Sequence, residues 1–516
     1  MTAHNHASEL IARDRHRLLG SVGATLFGQG AAFAAGLLCM VLTVRLLGPE
    51  GYGRLAMFFL LLAVLSQVLS NWPNLGLVRF GRQELGETAR MGEAFWARLL
   101  LYAASLALSA LLLWLFRRRL EEYLNLAFAP ALLLLLYLAA NELVFLLRGV
   151  FQTLSRFRAY ALSLFLIRAF ILLLLAGAFL ALRRQATPAA VLQLHIVAVS
   201  AVALICMALL PWRQLLPLRV NPRTVKALAG YSWPLMLGGL SHLVVDWVDL
   251  AVLRTMLPKA QAETAVGLYA VAYQPVIVLT HLRTAFIAAV LPLAMSMAVE
   301  RRHESLIWCV DDALPQFAWG VGLALTLAAG AAEAIPLVMG AQYAGSVTPC
   351  QLLMPGVAIS IFSATQAALA QALDRVRAAS AVVIVLAALN VALDVALVPR
   401  YGMIGAAAAT SAAFLLSGLL YFPLLNRIPQ VRGERPARRY AALVAFLPSI
   451  AFAVLAVRLP NAPARLIACA GLCAAGLLAA RFLGVFRIAT MDRLQQVHMP
   501  APVRGALHGF YRVFGR

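Results

Sequence analysis

His242, Asp246 and Asp249 stand at i, i+4 and i+7 inside the apolar stretch 228–257. That spacing puts all three on one face of a helix. Two carboxyls and an imidazole on one face can bind or relay a cation. They can equally be structural, with Asp249 paired to Arg254 or bonded to backbone across the bundle. A second group is cationic. Arg168 lies near the middle of the apolar stretch 159–182 with no acid at i±3 or i±4, and Arg283 lies in 264–292, two residues after His281. A charge at the centre of a membrane span costs ~2.5–3.5 kcal/mol on insertion scales, so each needs a reason. A guanidinium matches phosphate oxygens bidentately, which suits a cavity that takes a phosphorylated substrate. The other reading is an arginine that snorkels or caps carbonyls of a neighbouring helix. Arg45 and Arg254 end apolar stretches and read either as interfacial anchors or as substrate ligands. Gln29 and Gln67 with Asn71 belong to polar stripes on the first two spans, which glue helices together or line a sugar-binding cavity. Motifs of serine hydrolases, zinc peptidases and phosphate-binding loops are missing from the sequence, so no catalytic residue and no cofactor or metal is expected.

The elements that must position these residues are membrane spans. The chain has 516 residues, of which 63% are hydrophobic and only 12% charged, with a mean hydropathy of +0.85. Soluble domains carry about 25% charged residues. Apolar stretches of ~20 residues recur along the whole length, and in a bilayer such stretches must be helical. We read fourteen: about 18–46, 53–78, 93–116, 124–147, 159–182, 189–212, 228–257, 264–292, 307–331, 345–370, 378–398, 402–425, 439–457 and 464–485. The first apolar run is too long for a cleaved leader and is taken as an uncleaved span. The net charge of +22 does not suggest nucleic acid, because the arginines cluster at span ends rather than in a stripe. With the N-terminus inside, inner segments carry 27 Lys or Arg against 12 in outer ones. This excess favours both termini in the cytoplasm and an inner surface facing anionic membrane lipid. Arg117–Arg118–Arg119 is the strongest exception, partly offset by Glu121 and Glu122. The six cysteines lie mostly within apolar runs and read as small buried residues.

One phrase occurs twice. An apolar run ends at Arg45, Pro49 follows, and Gly53 opens the next run; Arg254, Pro258 and Gly267 repeat the pattern. Two related halves are therefore expected, with function between them. The segments RLLGPEGYG, RGVFQTLSRFRAY, VDLAVLRTML with VGLYAVAY, GAQYAGS and LVPRYGMIGAAAATS, in this order, resemble the polysaccharide-exporter branch of the MOP transporter superfamily over most of 18–426. That resemblance implies an all-α polytopic protein with two six-helix lobes, 18–212 and 228–426. A cytoplasmic segment 1–17, a linker 213–227, two added helices in 427–485 and a basic cytoplasmic tail 486–516 complete it. It implies a lipid-linked oligosaccharide flippase of a bacterial cytoplasmic membrane, acting on an undecaprenyl-pyrophosphate-linked sugar, as a monomer beside a polysaccharide polymerase. It places Arg79 near the cytoplasmic mouth and Asp249 at the family's aspartate before the Leu-Arg turn. A lipid II flippase and a drug/cation antiporter are the neighbouring readings; the antiporter usually has an acid in the first span, and 18–47 has none. A membrane polymerase or ligase would need a large outer loop, which the connections do not provide.

Overall fold

The computed structural model describes residues 2–125, 129–182, 186–277, 309–373, 375–426 and 442–486, with a few single positions beyond them, and gives side chains from Ala34 onward at most of these. Among the described residues the chain is helical throughout, with no strand. The cause is the one anticipated: a lipid-embedded segment can satisfy its amides only within a helix. Nine segments among the described residues are long and apolar enough to cross a membrane: 34–70, 92–115, 130–153, 157–181, 188–208, 314–339, 341–370, 377–424 and 462–482. Their outward faces are apolar. Leu180, Leu337 and Phe482 are each about four-fifths exposed, at 79, 82 and 79%. A water-soluble surface does not carry such a density of bare leucine and phenylalanine, whereas acyl chains cover it at no cost.

The helices run α1 (Thr2–Leu65), α2 (Pro73–Thr88), α3 (Gly92–Leu115), α4 (Arg117–Leu124), α5 (Pro130–Thr153), α6 (Phe157–Leu182), α7 (Pro188–Ala208), α8 (Trp212–Leu215), α9 (Pro222–Met256) and α10 (Lys259–Ala272). Then come α11 (Leu314–Ala331), α12 (Ile335–Met339), α13 (Val347–Ala372), α14 (Val376–Asn426), α15 (Leu447–Arg458) and α16 (Ala462–Phe482). Two of these are double-length rods with a break. α1 breaks at Gly48, φ 68°, and α14 at Gly402, φ 56°. Both breaks fall in the RLLGPEGYG and LVPRYGMIG phrases. Glycine takes a positive φ without the Cβ clash that other residues meet, so one span can end and the next begin within a few residues.

Two compact units divide at α9: Met1–Leu243 and Val244–Arg516. In the first, α1 packs on α6, α5 on α7, and α2 and α3 on α5. In the second, α13 is central, packed against α14, α11 and α15, while α16 lies against α11 and α15. Cys39, Cys206, Cys350, Cys469 and Cys473 are free and buried, as the sequence suggested.

α13 and α14 approach closely at Gly356 of α13. Its N–H donates to Ser411 Oγ at 3.1 Å, and a Cβ there would stand 2.6 Å from both Cα and Oγ of Ser411. Gly356→Ala is therefore expected to destabilise the folded protein by about 1–3 kcal/mol through overpacking. Gly177→Ala, where nothing lies within 4 Å, should be neutral or gain about 0.5–1 kcal/mol from helix entropy. Thermal unfolding of the two variants in the same detergent checks the contrast; equal midpoints would disprove the close packing of α13 on α14.

Candidate functional site

Among the described residues of the second unit, a concentrated buried polar group is built on Asp249. This residue is 1% exposed, in the last third of α9. Its Oδ1 accepts from Asn390 Nδ2 at 3.1 Å, and its Oδ2 accepts from Thr410 Oγ1 at 2.5 Å and from the hydroxyl of Tyr269. Tyr269 comes from α10, Asn390 from the first half of α14 and Thr410 from its second half. The break at Gly402 folds α14 back so that both halves reach one carboxylate. Asp394, one helical turn after Asn390, is 0% exposed and faces Asp249 within hydrogen-bonding reach. Both carboxyl oxygens of Asp394, and Oδ1 of Asn390, have no hydrogen-bond donor among the described residues. A buried acceptor without a donor costs about 1–3 kcal/mol, and more when charged. Three such oxygens beside a second carboxylate call for positive charge. The donor set is oxygen only, which suits a proton or a hard cation and not a thiophilic metal. Toward the Val376 end of α14 the site is closed by an apolar cluster of Val245, Ala387 and Phe414, with Val244 packed on it. Beyond Asp249, Arg254 pairs with Glu263 at 3.2 Å.

The first unit holds a different polar network, around the end of α1. The helix runs into a π-turn, Ser66–Asn71, before Pro73 opens α2. Pro73 has no N–H to give the Leu69 carbonyl, and the Ser105 hydroxyl donates to it instead. The Ser70 carbonyl accepts from Arg98 Nη2 at 2.8 Å. Arg98 Nε donates to Asn74 Oδ1 at 3.0 Å, and Asn74 Nδ2 donates to the Phe145 carbonyl of α5 at 2.7 Å. Glu142 Oε1 accepts from Ser66 Oγ and from Asn141 Nδ2. Arg98 and Glu142 are both 0% exposed and do not pair directly; Nη1 of one and Oε2 of the other have no partner among the described residues. The Asn74 side chain thus ties α2 to α3 and α5.

The remaining expected residues are dispersed. Arg168 is exposed in mid-α6; its side chain runs past Gly36 of α1, where a Cβ would meet Nε at 3.7 Å, and its carbonyl accepts from Cys39 Sγ at 3.4 Å. Arg79 is exposed on α2 with its guanidinium over the Tyr231 ring, 4.3 Å from the centroid. Gln67 packs straight over Gly239 of α9, leaving no room for a Cβ. Arg45 is exposed and Asp246 half-buried. Arg283 lies outside the described residues, and so do the side chains of Gln29, Asn71 and His242.

A model of the family described as polysaccharide biosynthesis protein matches residues 18–298. The chain belongs to that family. No curated protein matches it by sequence. Among solved structures it is similar to the lipid II flippase MurJ in an inward closed conformation, with a TM-score of 0.65 and 12% identity over 89% of this chain and 100% of that one. It is also similar to a multidrug resistance MATE family transporter of the MOP superfamily, inward-facing at TM-score 0.63 and 13% identity over 77% of this chain and 96% of that one. An outward-facing structure described in the same terms gives 0.52 and 14% over 79% and 95%. At these identities the likeness is one of fold. The MOP-type, all-helical architecture expected from the sequence is present.

For this polysaccharide biosynthesis family member, sequence reasoning found one half of the acidic site and missed the other. Asp249 was singled out, but Asn390, Asp394, Thr410 and Tyr269 were not. The signal was available: Asn390 and Asp394 stand at i, i+4 in the otherwise apolar stretch 378–398, and an acid inside a span is a functional marker by default.

Two tests follow from the geometry. Asp394→Asn replaces one of the two facing carboxyl groups and supplies donors. It is expected to raise thermal stability in cation-poor buffer and to abolish any stabilisation by added sodium, which for wild type reaches about 2.7 kcal/mol at a hundredfold excess over the dissociation constant. Unfolding followed over a sodium series against choline measures this; a salt response that survives in Asp394→Asn removes the cation site. In the first unit, Arg98→Met is expected to cost about 3–5 kcal/mol, because it leaves Glu142 uncompensated. Adding Glu142→Leu should recover a large part of that loss, and a purely additive double-mutant cycle would show that the two do not interact.

Proposed function

We propose that this membrane transporter flips an undecaprenyl-pyrophosphate-linked oligosaccharide, a repeat unit of a surface polysaccharide, across the bacterial cytoplasmic membrane by alternating access, coupled to a proton or alkali cation at Asp249 and Asp394. The observation that carries the coupling is the pair of buried carboxyl groups with three donor-less oxygens. The family supports the substrate class, since it is one of polysaccharide biosynthesis. A lipid II flippase is the second reading, favoured by a fold shared along the whole of MurJ.

In this reading the two lobes alternate in opening, and both termini face the cytoplasm. Binding of the cation neutralises the carboxyl pair and draws α9, α10 and both halves of α14 together. α9 carries Asp249 in its last third. Its earlier turns carry Ser232, packed on Gly76 of α2, and Gly239, packed on Gln67. That helix is the covalent route by which occupancy at Asp249 reaches the first unit. The pyrophosphate is met by arginines: Arg168 in mid-span and Arg79 near the cytoplasmic mouth, with Arg283 a third candidate. Outward movement of the anionic headgroup is aided by an inside-negative potential, which contributes about 2.3 kcal/mol per charge per 100 mV.

The test is surface glycan produced in a deletion strain, normalised to membrane-inserted protein. Asp394→Asn should fold and insert normally yet lose most export. At Arg168 and Arg79 the expected order is wild type, then Arg→Lys, then Arg→Ala. Loss of one charge-assisted contact costs about 1.5–3 kcal/mol, or roughly ten- to a hundredfold in affinity. Full export by the Ala variants at normal protein level would take both arginines out of the substrate path.

A further inference from the structure

α3 ends in three bare apolar residues, Trp114, Leu115 and Phe116, exposed by 62, 62 and 45%. On a membrane-spanning helix such residues lie among acyl chains or at their boundary. The next three are Arg117, Arg118 and Arg119, all exposed, in the first turn of α4. With Leu115 and Phe116 they line a cleft of about 490 Å³. Their guanidinium groups therefore stand at the depth where hydrocarbon gives way to phosphate. Arg117 is fixed at that depth: its guanidinium carbon is 5.3 Å from the Trp114 ring centroid, and Nη1 donates to the Trp114 carbonyl at 3.4 Å.

Glu121 and Glu122 follow within one helical turn, yet among the described residues neither forms an ion pair with the three arginines. The positive charge is not spent internally. The cluster is also at the sparse end of the span. The opposite end of α3 opens beside Gln214 and Leu215, whose carbonyls accept from Met91 N and Trp96 Nε1, and the inner arginines belong to that side. Positive charge on the sparse side runs against the usual distribution in membrane proteins. Three consecutive arginines there have a use other than setting orientation.

We propose that this cleft binds the phosphate of an anionic glycerophospholipid in the leaflet at this end of the span. Arg118 and Arg119 take the phosphate oxygens, Arg117 and Trp114 set the depth, and Leu115 and Phe116 lie along the upper acyl chain. Forked guanidinium donors favour phosphate, and the apolar floor favours a phosphate that carries a lipid tail.

Full-length protein in nanodiscs of phosphatidylcholine with a minor share of phosphatidylglycerol tests this, with native mass spectrometry counting retained lipid after detergent release. Wild type is expected to retain phosphatidylglycerol in preference to phosphatidylcholine. Each Arg→Gln change at 118 and 119 should lower that preference roughly fivefold, at unchanged thermal stability in neutral detergent. Glu121→Gln with Glu122→Gln, which removes competing acids, should raise it. Equal retention by wild type and the Arg118→Gln/Arg119→Gln variant overturns the proposal. So does a short-chain polyprenyl pyrophosphate that displaces the phospholipid from wild type and loses affinity in the same variant, since the cleft would then belong to the transported lipid.

Discussion

Inside a bundle sheathed in lipid, a polar group has no water to turn to, and every break in a helix releases polar groups. The structure is organised by how these are recaptured. The end of α1 shows it plainly. Pro73 withholds an N–H from Leu69, the π-turn displaces the Ser70 carbonyl, and side chains of α3 answer both: Ser105 takes one carbonyl and Arg98 the other. The recapture requires a buried guanidinium, which in turn requires an acid nearby, and Glu142 supplies it from α5. One proline thus binds three helices to one another through polar contacts that would be out of place in an oily core without it.

The same constraint acts in the second unit with a different result. The Gly402 break brings the two halves of α14 onto Asp249, and the carboxylate is well supplied with donors from Tyr269, Asn390 and Thr410. Asp394 is the surplus. A protein built only for stability would place leucine or asparagine there, since replacing a buried charge with a well-packed neutral residue is often neutral or stabilising. Retaining a second carboxyl without donors makes the packing of α9, α10 and α14 depend on something that comes and goes. In the Arg98 network each charged group keeps one polar atom without a partner among the described residues, whereas at Asp394 both carboxyl oxygens do. That difference is what the proposed coupling site rests on.

The fold class was legible because it follows from quantities a sequence displays directly: apolar run length, charge at run ends, and the glycine-proline phrases that became the breaks at Gly48 and Gly402. Asp249 was legible because an acid in an apolar run stands out. Its partners were not, because they lie 20, 141, 145 and 161 positions away in Tyr269, Asn390, Asp394 and Thr410, and only the folding back of α14 makes them neighbours. The grouping of His242, Asp246 and Asp249 on one helical face is a local pattern, whereas the partners that Asp249 meets come from other helices. The contacts of Asn74 were not legible either, because Arg98 and Phe145, which bond its side chain, belong to other spans that sequence spacing cannot connect to it.

A transporter must also turn occupancy into movement, and the magnitudes allow the Asp249 site to do so. Driving a two-state equilibrium from 1:99 to 99:1 takes about 5.5 kcal/mol of differential binding. Removing a buried, uncompensated charge is worth about 3–5 kcal/mol, and each acceptor that gains a partner adds about 1–3 kcal/mol. In the proposed coupling a single cation at the carboxyl pair would do both at once, a contribution of the required size without help from remote contacts. The apolar cluster of Val245, Ala387 and Phe414 keeps that energy from being lost to water on one side.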